Sequence, residues 1–332
     1  MFDRKRLTIG TLGSRKSKTE LYPLEYRPIP DPKTTWAVLG DANQTQFLEL
    51  LASDIANKQK VILGFGAHFI KNKCHQYLMD ITDTGFFRHI VTNGASTIHD
   101  FEFAYYLRTE EDVRENLANG TFGLWETGEH LNKAINLYGH LGYGKAIGRW
   151  LSTIDIKNQK HSSFIPRHHS LSYHCYEKEI PFSICTSIGH DIIYEHPECN
   201  GAKIGHASYV DFLNLAETLE GLEDAVILSV GSAITFPMVM EKAYAMAKNV
   251  NPKTGNNCSC YVIDLMDGSS GWQEGEPSKN DPNYYNRPMK TFNRMFPKAC
   301  QYAQMDNRVL MYHLKELIQK RVKWKQSGAK ND

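Results

Sequence analysis

The stretch Ala225–Asn249, AVILSVGSAITFPMVMEKAYAMAKN, constrains the fold more than any other part of the chain. Ala225 to Val230 is a short apolar run with the length and β-branching of a buried parallel strand. Gly231-Ser232-Ala233 then makes a small-residue turn. Ile234 to Lys248 reads as a helix, and Pro237 fits its first turn, where a missing N–H costs little. The same unit recurs upstream. Val61 to Phe65 is a strand that ends at Gly64-Phe65-Gly66-Ala67-His68 before a helix. Phe87 to Val91 is a strand that ends at Thr92-Asn93-Gly94-Ala95-Ser96-Thr97 before a helix from Ile98 to Leu107. Repeated strand–turn–helix units predict an α/β fold, with an open parallel sheet covered by helices on both faces.

Further elements extend the pattern. Asp41 to Lys58 has helical spacing at Phe47, Leu50, Leu51 and Ile55. Ile180 to Thr186 and Cys258 to Asp264 read as strands, Val210 to Leu222 as a helix, and Val309 to Val322 as a closing helix. Thr109 to about Asn119 is charged and compatible with a helix. Residues 126 to 178 read as interrupted helix, a helical insertion between sheet strands. Residues 1–33, basic and rich in proline, are predicted to be an arm on another surface or a partly disordered tail. Residues 34–325 are predicted to form a single domain, with a polar tail over 326–332. Gly271 to Pro288 is a long polar loop of the kind that carries function or disorder.

Composition narrows the function classes. With 332 residues, 41% hydrophobic and 23% charged, the chain suits a soluble globular protein. A net charge of +1 gives no electrostatic argument for nucleic acid or an anionic membrane. There is no apolar run of membrane-spanning length and no signal-peptide core, so a cytoplasmic location is expected. Seven cysteines at scattered spacing suit reduced thiols. His190, Glu195 and His196 do not have the HExxH spacing, and no metal is expected. No Walker-type phosphate loop and no GxSxG elbow is present.

In open α/β sheets, ligands bind beyond the carboxyl ends of the strands. Five turns are predicted to meet there: Gly64 to His68, Thr92 to Ala95, Thr186 to Asp191, Gly231 to Ala233, and Asp264 to Gly271. Small residues let backbone N–H groups approach a phosphate, and a helix N-terminus adds partial positive charge. The set suits a dinucleotide with a polar or cationic second ligand. For each polar residue among them the alternative is a helix cap or turn former.

The pieces ILGFGAHFI, HIVTNGASTIHDFE, IPFSICTSIGHDII, VILSVGSAITFP and LMDGSSG, in that order, resemble the deoxyhypusine synthase family, and within it the divergent bacterial deoxyhypusine synthase-like branch. The resemblance covers roughly residues 35 to 320. It implies a Rossmann-like fold, a homotetramer with sites at subunit interfaces, bound NAD, and transfer of an aminobutyl group from a polyamine such as spermidine to an amine acceptor, here a small amine. By position, it implies NAD contacts at Ala67, His68, Thr92, Asn93, Gly94, Ala95, Gly231, Ser232, Asp267 and Gly268. The family's nucleophilic lysine falls at Lys290, with Lys279 second. His99 and His190 are the candidate bases, because a histidine titrates near neutral pH. Asp191 and Glu276 are candidate partners for ammonium groups. Trp272, Tyr284 and Tyr285 are candidate ring walls for a polyamine cation. Phe236-Pro237 replaces a histidine of the family pattern, and the acidic residue of its DGSDSG-like loop has no counterpart. A protein-lysine acceptor, or a member with changed or lost catalysis, is the alternative.

Overall fold

The computed structural model describes residues 2–21, 42–154, 166–266 and 271–328. The strands are β1 Ser17–Glu20, β2 Val61–Phe65, β3 Phe87–Asn93, β4 Arg108–Glu111, β5 Phe182–Cys185, β6 Val226–Val230, β7 Ser259–Asp264 and β8 Cys300–Gln304. The helices are α1 Ala42–Lys58, α2 Ala67–Lys71, α3 Cys74–Thr82, α4 Gly94–Tyr106, α5 Val113–Ala118, α6 Glu126–Tyr138, α7 Tyr143–Thr153, α8 Leu171–Glu177, α9 Gly201–Leu219, α10 Thr235–Val250, α11 Arg287–Met295 and α12 Asn307–Gly328. A six-stranded sheet runs in the order β5-β3-β2-β6-β7-β8, and its pairings from β3 to β8 are all parallel. This is the open α/β, Rossmann-like sheet that the repeated units predict.

β2 and β6, VILGF and VILSV, are buried along their whole length, which is why they read as unbroken apolar runs. Alternate residues of a strand face opposite sides. On one side, Leu63, Leu228 and Tyr261 share a register row, and Phe47 of α1 meets Tyr261 edge-on at 5.5 Å. On the other, Gly64 pairs with Ser229, and the Phe236 ring of α10 lies directly on Gly64. Helices therefore cover both faces.

Where the sequence places one domain over 34–325, the chain groups into two compact units: Met1–Tyr26 with Thr92–Asn214, and Arg27–Val91 with Leu215–Asp332. In the second unit α12 packs on α1 and α3, and α10 packs on α11. In the first, α7 packs between α6 and α8.

The arm expected over residues 1–33 is, through residue 21, part of the first unit's own structure. β1 pairs antiparallel with β4. Leu12 and Arg15 are buried. Arg4 Nη1 donates to the carbonyls of His196 (2.9 Å) and Cys199 (3.0 Å). Residues 108–111 differ from the expected helix for the same reason, since they supply the partner strand and the helix begins only at Val113. All seven cysteines are free thiols; six are buried and Cys199 is half-buried. No described helix is long and apolar enough to cross a membrane.

Candidate functional site

The second unit builds its own sheet rim. After β2 the chain winds to β3 on one side, and after β6 it winds through β7 to β8 on the other. The reversal falls between β2 and β6, adjacent parallel strands whose turns sit side by side. Such a switch point opens a crevice beyond the carboxyl ends of the strands. Two glycines make the close fit. Gly66 N donates to Val230 O at 3.2 Å, and a Cβ on Gly66 would stand 2.2 Å from Gly231 O. Gly231 N donates to Ile263 O at 2.8 Å.

Gly231 itself serves differently. Its φ is +57°, the left-handed region that glycine enters freely. An added Cβ would meet nothing within 4 Å, so the space beside this backbone is open. Gly231, Ala233 and His68 are exposed, and Ala67 is half-buried. Ser232 is buried, and its Oγ accepts from Phe236 N at 3.2 Å, fixing the first turn of α10. The predicted contacts Ala67, His68, Gly231 and Ser232 thus share this rim. Asp267 and Gly268 lie outside the described residues.

Lys290 lies on α11 of the same unit and is 7% exposed. Its Nζ sits 3.3 Å from the centroid of the Tyr284 ring. The hydrogen bond from Lys290 holds the Tyr284 phenol below its ordinary range. The expected lysine and one of its expected ring walls are therefore together, and Lys279 is exposed. The other walls fall elsewhere. Tyr285 is 85% exposed, with its ring at right angles to that of Tyr284. Trp272 stacks on Tyr302 of β8 at 4.9 Å. Glu276 pairs with Arg294 at 2.6 Å, and that bond holds its carboxyl below its ordinary range. Arg294 also reaches Glu241 at 3.2 Å. Glu276 is matched by a cation of its own chain.

The first unit holds the remaining candidates. Asn93 caps α4, its side chain accepting from Ser96 N at 3.1 Å, and the Thr92 and Ser96 hydroxyls bond to each other. Here the capping alternative describes Asn93, while Thr92 holds the Ser96 side chain. Gly94 is needed for a close approach, since an added Cβ would lie 2.1 Å from Asp191 Oδ2. Burial pushes the Asp191 carboxyl up to about 6, with His190 pulling the other way. His190 is exposed. Asp100 is buried and accepts from Ser170 Oγ and from the backbone N–H of Leu171 and Ser172, so it anchors the start of α8.

His99 is half-buried one turn beyond Ala95, and its Nδ1 is 2.7 Å from Thr109 Oγ1. The Thr109 hydroxyl donates to Glu102 at 2.7 Å. Sequence reasoning missed Thr109, Glu102 and Arg15 as neighbours of His99. Their signal was an acid between Phe101 and Phe103, on a helix that also carries Asp100, because a buried charge demands a partner. Among the described residues, no group of three or more His, Cys, Asp or Glu side chains is placed to hold a metal ion.

No protein-family model matches the chain, and no curated protein matches it. Among solved structures, the chain is similar to apo ArgZ, an arginine dihydrolase of the cyanobacterial ornithine–ammonia cycle, at 13% identity and TM-score 0.46 over 83% of this chain and 33% of that one. It is similar to AgrE in ternary complex with ornithine and NAD+, at 14% identity and TM-score 0.49 over 83% and 33%. It is also similar to a LOR/SDH protein from Methanococcus maripaludis S2, at 13% and 0.45 over 83% and 69%. The chain spans about one third of the length of the first two. None of these three is a deoxyhypusine synthase. Similarity of this degree fixes nothing about chemistry, and the fold assignment rests on the sheet itself.

Proposed function

We propose that the chain is an enzyme that binds an NAD-type dinucleotide at the carboxyl ends of β2 and β6. One observation carries the reading: the winding reverses between these strands, and at that point the exposed Gly231 backbone faces open space ahead of the α10 N-terminus. Backbone N–H groups and the helix dipole there suit a pyrophosphate. The Gly231 N–H already donates to Ile263 O, so Gly231 would admit the pyrophosphate through its missing side chain and Ser232 would hold it, with Ala67 and His68 on the neighbouring turn. A nicotinamide ring, when bound, accepts or donates hydride.

Calorimetric titration with NAD+ tests the reading. Wild type is expected to bind. Gly231→Ala places a methyl in the approach path and strains a positive φ by about 1 kcal/mol. Its affinity should fall at least about tenfold while the fold survives. Absence of binding to wild type, or equal binding by the variant, removes the reading.

Aminobutyl transfer to a small amine, implied by the family resemblance, keeps one supporting observation of its own: the enclosed Lys290 on the Tyr284 ring. A lysine amine is the group that condenses to an imine, and Lys290 is the buried lysine of this segment. Incubation with NAD+ and spermidine, followed by borohydride, should leave a mass adduct on Lys290 that Lys290→Arg lacks. No adduct, with NAD+ binding intact, would remove transfer and leave the dinucleotide reading standing.

A further inference from the structure

Five of the chain's ten glutamines meet at one place in the second unit. Gln44 and Gln46 lie at the start of α1, Gln273 lies between β7 and α11, and Gln301 and Gln304 lie on β8. They line an open cleft of about 560 Å³, a volume within the range of small-molecule sites. Among the described residues, no charged side chain lines it. Hydrogen bonds hold its walls. Gln44 Nε2 donates to the Gln304 carbonyl and Gln304 Nε2 to the Leu265 carbonyl, both at 2.9 Å. Gln273 Nε2 donates to Gln301 Oε1 at 3.2 Å. A backbone carbonyl only accepts, so the first two bonds settle which way those amides point. Oε1 of Gln44 and Oε1 of Gln304 are left as acceptors. Gln44 Oε1 is enclosed and has no donor. An enclosed acceptor of this kind calls for a bound donor.

We propose that this cleft binds a neutral polyhydroxylated molecule, a monosaccharide or disaccharide. A sugar hydroxyl both donates and accepts, and a glutamine amide does the same through its two ends. The two oriented oxygens require donors. A phosphate or carboxylate has none to give, and would leave water without meeting a counter-charge. An apolar ligand would strand the same oxygens. Phe47 and Leu50 add an apolar wall for the C–H face of a sugar ring. An adjoining cavity of about 460 Å³ shares Gln273, Gln301 and Tyr302 and extends the cleft toward a second ring. Glu274 lines that second cavity and not the first. None of the lining residues belongs to the turns of the dinucleotide reading, so either reading can fail alone.

Proton–nitrogen NMR of the full chain reads the glutamine side-chain amides during titration with D-glucose and with maltose. The Gln44, Gln301 and Gln304 signals, assigned by single substitutions, are expected to shift and saturate with a Kd of about 1–10 mM, the range for so small a ligand. Glucose 6-phosphate should bind at least about tenfold more weakly, because its charge finds no partner. Gln44→Met keeps the volume and removes the amide, and Gln273→Ala trims an exposed side chain. Each should weaken maltose binding about fivefold, the worth of one ordinary hydrogen bond. If the methionine variant does not fold, the alanine variant decides. Amide signals unmoved by both sugars would overturn the proposal. So would glucose 6-phosphate binding as tightly as glucose, or wild-type maltose affinity in Gln273→Ala.

Discussion

Acidification from pH 7 to 4.5 is expected to remove about 3 kcal/mol of stability through His89 alone, rising to about 4 kcal/mol near pH 3, at about 1.4 kcal/mol per pH unit between the two pKa values. His89 lies fully buried in β3, with Nδ1 2.8 Å from Thr218 Oγ1. Burial lowers its pKa from 6.5 to about 3. The folded value lies below the unfolded one, so the neutral ring favours the fold. That contribution is complete above pH 6.5 and is lost as the pH falls toward 3. Two carboxyls act in the opposite sense. Asp211, raised to about 7 by burial against the pull of backbone N–H groups, and Asp191, raised to about 6, favour the fold when protonated. Their contributions are present below about pH 4 and are lost as the pH rises. The bare acid limb of wild type therefore mixes both signs. Subtracting the urea stability of His89→Leu at each pH isolates the histidine. A difference that stays flat from pH 7 to 4.5 would mean that the ring charges freely inside the sheet.

Glu102→Ala should lower stability at pH 7 by about 3–5 kcal/mol, the range for breaking one side of a buried ion pair. Arg15 and Glu102 side chains are 2% and 1% exposed, and the variant would leave the guanidinium enclosed without its counter-charge. Thr109 and Thr127 would lose an acceptor as well. Replacing both charges by apolar groups, as in R15M/E102L, should recover much of the loss, because the desolvation of both ions then disappears. The carboxyl is held below its ordinary value, so the pair's contribution is present above about pH 4.5 and declines as the pH falls through the folded value. Urea midpoints of the three proteins decide the matter. A single variant within about 1 kcal/mol of wild type would show that the pair adds little.

The strands that could be read from sequence were those buried on both faces. VILGF and VILSV announce themselves because nothing in a doubly covered strand needs to be polar. β8, CQYAQ, was missed because an edge strand with half-exposed residues has no such run. β4, RTEE, looked helical because its strand character comes from β1, nearly ninety residues earlier in the sequence, about which local propensity says nothing. The turns at Gly66 and Gly231 were legible as small residues between strand and helix. The contact between them depends on strand order, which periodicity does not encode. Lys290 with Tyr284 was legible at a spacing of six residues, whereas Arg15 with Glu102 spans 87 and left only an acid between two phenylalanines as a trace.

The thiol inventory has a practical consequence. Six cysteines are shut inside, and burial pushes the thiols of Cys74, Cys175, Cys185, Cys258 and Cys260 up and away from reactivity. Burial raises the Cys199 thiol too, against the pull of Arg4, but it is the one cysteine that is not fully buried and so the one that a maleimide dye added to the native chain should reach first. Its backbone carbonyl is also a seat for Arg4, so a fluorophore there would report, in real time, whether the first few residues are docked or released.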